Sequence, residues 1–206
     1  MLIKTLCKAA HILCCKGLGW TIDGERPSES KVMILGAPHT SNLDYFLTLA
    51  LIHHFQLPLR YLIKDNAFKG PLAPLLRSLG GVPVNRREST KLVDMMVETV
   101  RTQDEIALGV LPEGTRKYVD YWKSGFYWIA RGAELPIYPV KVDGIARRLE
   151  MGPKLVTSGD IHADVAVLAE FFGNTLGVIP ANSGPVRVRP VVQEALGSPS
   201  EIQIER

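Results

Sequence analysis

The sequence predicts an α/β fold: a single domain with a largely parallel central sheet flanked by helices, preceded by an N-terminal amphipathic helix. Three observations point to it. Short β-branched apolar runs alternate with longer stretches of helical periodicity, the pattern of repeated strand–helix–strand units. The chain has 206 residues, enough for one full core and short for two. Composition is that of a globular protein, 46% hydrophobic and 22% charged, with no repeat or low-complexity tract. A formal charge of +3 is too small to imply nucleic acid, so no nucleic-acid partner is expected.

The first element is MLIKTLCKAAHILCCKGLGW (1–20). Lys8 interrupts its apolar run, which is too short and too charged to span a bilayer. No small-residue cleavage site follows, which argues against a signal peptide. At 3.6 residues per turn Lys4, Lys8, His11 and Lys16 share one side, with Leu2, Leu6, Ala9 and Leu13 opposite. That is a basic amphipathic helix able to lie in a membrane interface; the alternative is a helix packed on its own domain. The three cysteines, Cys7, Cys14 and Cys15, all fall here and are expected as buried or idle thiols, although the Cys14–Cys15 pair could accept a lipid. DGERPSES (23–30) reads as a loop, dividing the chain into residues 1–30 and a domain of residues 31–206.

Within the domain, KVMILGA (31–37) reads as a buried strand and NLDYFLTLALIHHF (42–55) as a helix, with Ser41 or Asn42 as cap and Asp44 in its first turn. LRYLIK (59–64) and GVPVN (81–85) read as strands around a short helix in GPLAPLLRSLGG (70–81). STKLVDMMVETVRTQ (89–103) carries Leu92, Val93, Met96, Val97 and Val100 at helical spacing, and both methionines are expected in the core. IALGVL (106–111) is a strand running into PEGTR (112–116). SGFYWIARGA (124–133) is a helix leading to the strand LPIYPVKVD (135–143). HADVAVLAEFFGNTL (162–176) should be helical and PVRVRPVV (185–192) extended.

Chemistry concentrates after the strands, where open α/β sheets hold their ligands. PHTSNLD (38–44) puts His39 at the carboxyl end of a strand and Asp44 at the start of the next helix. A neutral imidazole there can take a proton from a hydroxyl, and a carboxylate on its other nitrogen fixes the tautomer. No serine or cysteine sits in an elbow motif, so the attacking group would be the substrate's own alcohol. Amides at the helix start could face an oxyanion. In LPEGTRK (111–117), Gly114 admits a close approach of backbone to ligand, Arg116 offers a fork for phosphate or carboxylate, and Glu113 an acceptor for a polyol hydroxyl. Arg86 and Arg87 follow a strand in GGVPVNRR (80–87), and with Lys64, Lys69, Lys117 and Lys123 they could converge on one anionic ligand. Each of these stretches alone is a weak signal, more often an ordinary loop or an exposed surface charge. His53 and His54 lie about three turns (roughly 15 Å) from Asp44, so a zinc site with His39 is not expected.

In order, PHTSNLD, GGVPVNR, PEGTR and LPIYPV resemble the four motif blocks of the glycerolipid acyltransferases, the family that includes 1-acylglycerol-3-phosphate acyltransferase. The resemblance covers roughly residues 31–195. It implies His39 as general base and Asp44 as its partner, Arg86 at the acceptor's phosphate or head group, Glu113, Gly114, Thr115 and Arg116 in the acceptor pocket, and 135–140 at its border. Lys64 joins the substrate-binding set through the convergence of cations. The implied reaction moves a fatty acyl group from a thioester, on coenzyme A or acyl carrier protein, to the free hydroxyl of a lysolipid, with no metal or redox cofactor. The implied setting is the cytoplasmic face of a membrane, bound peripherally or monotopically through residues 1–20. Acyl transfer to another lipid alcohol, or a non-catalytic lipid-surface module, are the alternatives. This chain departs from the family pattern in carrying Pro38 before the histidine, Asn85 before the arginine and Tyr138 in an otherwise aliphatic block. None of these removes a group the chemistry requires.

Overall fold

The structure, a computed structural model, describes residues 2–78, 80–84 and 89–190. Seven strands form one sheet: β1 (Thr21–Asp23), β2 (Lys31–Ala37), β3 (Leu59–Lys64), β4 (Gly81–Val84), β5 (Ile106–Val110), β6 (Ile137–Asp143) and β7 (Arg148–Met151). Their spatial order is β1-β7-β6-β2-β5-β3-β4, and every pair is parallel except β6 with β7. The helices are α1 (Leu2–His11), α2 (Leu43–Phe55), α3 (Ala73–Ser78), α4 (Ser89–Arg101), α5 (Gly125–Gly132) and α6 (Ile161–Phe172). The expected α/β class and mainly parallel sheet are thus what the chain forms.

β2 lies between β6 and β5, buried on both faces, which is why KVMILGA carries no polar alternation. Its side chains divide by parity. Met33, Leu35 and Ala37 join Met96, Tyr127, Leu168 and Phe172 beneath α4, α5 and α6, whereas Val32 and Ile34 join Leu47, Ala50, Leu51 and Phe55 of α2. α2 is apolar nearly all round because it is covered twice, by the sheet and by α1. α6 starts at a side-chain cap, Asp160, whose Oδ1 accepts from the N–H groups of His162 and Ala163.

Several elements differ from the sequence reading. Within the described part of 1–30, read there as helix and connecting loop, β1 joins the sheet edge and Trp20 is buried. α1 continues into a π-helical turn over Ile12–Gly17. The seam that packs on α2 centres on Cys7 and Ala10, with Leu6 partly buried against it and Cys14 buried beyond them. Small residues let two helices approach closely, so the large apolar side chain of Leu13 is left half exposed. Burial, with Cys15 alongside, pushes the Cys14 thiol up to about 11, and a thiol so enclosed is closed to lipid attachment. Met96 is in the core but Met95 is exposed. β7, which the sequence reading left unassigned, forms a hairpin with β6. Of the extended stretch expected over 185–192, Val188 makes a single bridge to Trp122, and residues beyond 190 lie outside the described ones. Among the described residues no helix is long and apolar enough to cross a membrane.

Candidate active site

The chain leaves β2 at Ala37, passes a cis Ala37–Pro38 peptide, and enters α2 at Leu43. His39 therefore stands at the carboxyl edge of the central strand. Asp44, in the first turn of α2, reaches back across the turn with one oxygen. Its Oδ2 lies 2.9 Å from His39 Nδ1 and accepts from the backbone N–H groups of Thr40 at 2.8 Å and Ser41 at 2.9 Å. A carboxylate oxygen receiving two backbone donors is an acceptor, so the His39 proton sits on Nδ1 and Nε2 carries the lone pair. Asp44 is buried, and its charge also suits the positive end of the helix. Of the two expected caps, Ser41 is the one that acts: its Oγ accepts from Leu43 N–H at 3.1 Å, and Asn42 makes no side-chain cap.

Glu113 arrives from the end of β5, the strand paired with β2. It is 6% exposed, and its Oε1 accepts the His39 backbone N–H at 3.0 Å. The solvated-turn alternative does not hold for Glu113, which is a buried strut beneath the histidine. Burial holds its carboxyl above the ordinary glutamate range, opposed by the bonds it accepts. Two carboxylate oxygens, Asp44 Oδ1 and Glu113 Oε2, are buried without a hydrogen-bond partner.

The helix-start amides expected to face an oxyanion are already engaged: those of His39, Thr40, Ser41 and Leu43 bond to Glu113, Asp44, Asp44 and Ser41. The remaining candidates divide. Gly114 follows Glu113 at φ +67°, in the left-handed region, with the Lys123 side chain lying 3.0 Å from where a Cβ would stand. Thr115 is half-buried and accepts from Lys117 N–H, whereas Arg116 is exposed beside it. Lys123 is thus brought to the site. Lys64 ends β3, and its side chain, like Arg86 and Arg87, lies outside the described residues.

Sequence reasoning missed the far side of the site. Thr40, 1% exposed, receives the N–H of Ile179 on Oγ1 at 3.1 Å and the Asn182 Nδ2 amide on its carbonyl at 3.3 Å. A Cβ at Gly177 would stand 2.5 Å from the Thr40 hydroxyl, so only glycine permits that closure. A segment about 140 residues downstream therefore holds the turn that carries His39. No local signal in the sequence announces the pairing.

The Acyltransferase family model matches residues 20–143, a span that contains the His39–Asp44 turn and the Glu113 strut. The chain is 26% identical over 167 residues to human 1-acyl-sn-glycerol-3-phosphate acyltransferase beta, covering 77% of this chain and 58% of that protein. In fold it is similar to the crystal structure of the 1-acyl-sn-glycerophosphate acyltransferase PlsC from Thermotoga maritima, with a TM-score of 0.63, 18% identity, and 82% and 76% of the two chains covered. The parallel sheet that delivers a histidine and its aspartate to one edge, and a family match across most of that sheet, lead to one conclusion: this chain belongs to the Acyltransferase family.

Proposed function

We propose that the protein transfers a fatty acyl group from a thioester to the free hydroxyl of a lysolipid of the 1-acylglycerol-3-phosphate type, in phospholipid synthesis. The observation that carries this reading is the His39–Asp44 pair, with Nδ1 held at 2.9 Å and Nε2 left for the substrate. The acceptor hydroxyl gives its proton to Nε2 as its oxygen attacks the thioester carbonyl carbon. Asp44 stabilises the imidazolium that forms. The tetrahedral intermediate collapses with cleavage of the C–S bond, and the imidazolium returns the proton to the departing thiolate. An ester and a free thiol result, with no cofactor consumed. Among the described residues, Arg116 and Lys123 are cations available to the phosphate or the developing oxyanion, and Arg86 and Lys64 join them at the acceptor's head group.

The acyl donor is coenzyme A or acyl carrier protein, and the reading holds for either. The protein acts as a peripheral or monotopic protein at the cytoplasmic face of a membrane, with residues 1–20 against the bilayer. Half-exposed Leu13 and exposed Ile12, next to Lys8 and Lys16, support this. The test is transfer of labelled acyl groups from both thioesters to a panel of lysolipids, with His39→Ala alongside. Product from lysophosphatidic acid, lost in the variant with an unchanged melting temperature, is the expected outcome. Substantial turnover by His39→Ala would remove the base assignment.

A further inference from the structure

Three histidines meet at the rim of the contact between the N-terminal helix and the domain. His11 ends α1, and His53 and His54 lie in the last turn of α2. The His11 ring stands 5.1 Å from that of His53 and 5.8 Å from that of His54, centre to centre. The acyl-transfer chemistry uses none of them, since they lie at the opposite end of α2 from Asp44. Among the described residues no group of three or more His, Cys, Asp or Glu side chains is placed to hold a metal ion. The seam beside them is slight: Cys7 and Ala10 against Leu49, with Leu6, Tyr45 and Ile52 around it. A contact this small can be tipped by a few like charges at its end.

The surroundings decide what such a cluster does when it takes up protons. Lys8 lies one turn before His11, and Lys4 and Lys16 extend positive charge along the same segment. Cys15 Sγ, from the π-helical turn, lies 3.7 Å from His11 Nδ1; burial raises that thiol, so it brings no charge. The carboxylate acting on His54 is Asp23 of β1, which keeps its charge and shares it with Arg148 of β7 at 2.8 Å.

Burial first, then the charges of His11 and Lys8, hold the His53 ring below the ordinary histidine range. Burial and His11 do the same to His54 against the pull of Asp23, and His53 adds to them. The negative end of α2 favours protonated rings in its last turn, but it is outweighed. The rings are therefore harder to protonate while α1 is docked than after it has left. Docking is at full strength above the ordinary histidine value of about 6.5 and weakens as pH falls through it.

We propose that His11, His53 and His54 form an acid-sensitive latch: protonated rings set like charges across the α1–α2 contact, and the N-terminal helix lifts from the domain. Buried Trp20 and the pairing of β1 with β7 keep the released helix tethered. The inference is independent of the acyl-transfer reading. All three cysteines lie on this segment, so thiol labelling reports on it alone. The full chain is labelled with a pyridyl disulfide, which reacts in mild acid, and mass spectrometry resolves the sites. Rates at Cys7 and Cys14, both buried, are compared with those of the urea-unfolded chain at the same pH to give their protection. The expected result is a loss of protection by about fourfold or more between about pH 7.5 and about pH 5.5, the repulsion of one pair of like charges some 5 Å apart in a water-like dielectric. Added salt reduces the loss by screening. In the His53→Gln, His54→Gln double variant the loss disappears. Protection that does not change with pH in the wild type, or that falls in the double variant as in the wild type, would overturn the inference. If the double variant melts early, His11→Gln, which removes the shared ring from the other helix, is read by the same criterion.

Discussion

Asp44 holds His39 through a single oxygen: the Oδ2 atom that stands 2.9 Å from Nδ1 also takes the N–H groups of Thr40 and Ser41. An asparagine can place its amide oxygen at that same point and keep all three bonds, losing the charge and setting an NH2 group where the buried, unpartnered Oδ1 stood. Asp44→Asn should therefore keep the fold at some cost in stability and lose about 10²–10⁴-fold in kcat, because nothing offsets the imidazolium. Asp44→Ala strands buried donors and should in addition cost about 1–3 kcal/mol of stability. Steady-state kinetics with denaturant unfolding separate the two. Equal stability of the variants would contradict the shared-oxygen geometry.

Glu113 yields a prediction with a definite sign. Burial raises its folded-state pKa above that of the unfolded chain, so the folded protein binds the proton more tightly. Stability from this group is therefore fully present on the acid side of the ordinary carboxylate range and declines as pH rises through the raised value. Glu113→Gln keeps an oxygen for the His39 N–H and cannot ionise. It should flatten that decline; the cost of setting an NH2 group at the buried Oε2 position shifts the whole curve and leaves the slope as the readout. Urea unfolding from about pH 4 upward checks it; a variant with the wild-type slope would place the titration elsewhere.

Thr40 links two distant parts of the chain. Thr40→Val keeps the shape of the side chain but gives the Ile179 N–H no acceptor, at an expected cost of about 1–3 kcal/mol. Since the same residue follows His39, kcat should fall while KM for both substrates changes little. Unfolding curves and full kinetics test this together.

For the N-terminal helix the informative change is Leu13→Glu. Leu13 is half exposed and off the seam that packs on α2, so the variant should melt like the wild type and bind anionic vesicles more weakly. Deleting residues 1–20 would instead strip Cys7, Ala10, Cys14 and Trp20 from the core and confound stability with binding.

The sequence made His39 and Asp44 legible because their contact is local: a strand end, a tight turn and a helix start lie within one short stretch. α2, α4 and α6 were legible for the related reason that long periodic segments declare themselves. Glu113 was legible as a candidate, but its burial beneath His39 was not, since that depends on β5 pairing with β2 across more than 70 positions. The brace from Ile179 and Asn182 to Thr40 is longer-range still and leaves no mark on local pattern. On α1 the periodicity pointed to Leu2, Leu6, Ala9 and Leu13, whereas the contact with α2 centres on Cys7 and Ala10 with Leu6 packed beside them. The edge strand β1 and its neighbour β7 have three and four residues, too short for alternation to show.

The bond from the His39 amide to Glu113 also governs which lengths of chain this site tolerates. His39 is the second residue beyond β2 and Glu113 the third beyond β5, and the two strands are in fixed register. One residue inserted in either stretch would slide the carboxylate off the amide and the imidazole off its edge. Insertions in the exposed stretch 102–105, between α4 and β5, touch neither. The tolerance of this protein to added residues should therefore be uneven, strict to the single residue in two short stretches and permissive through much of the rest.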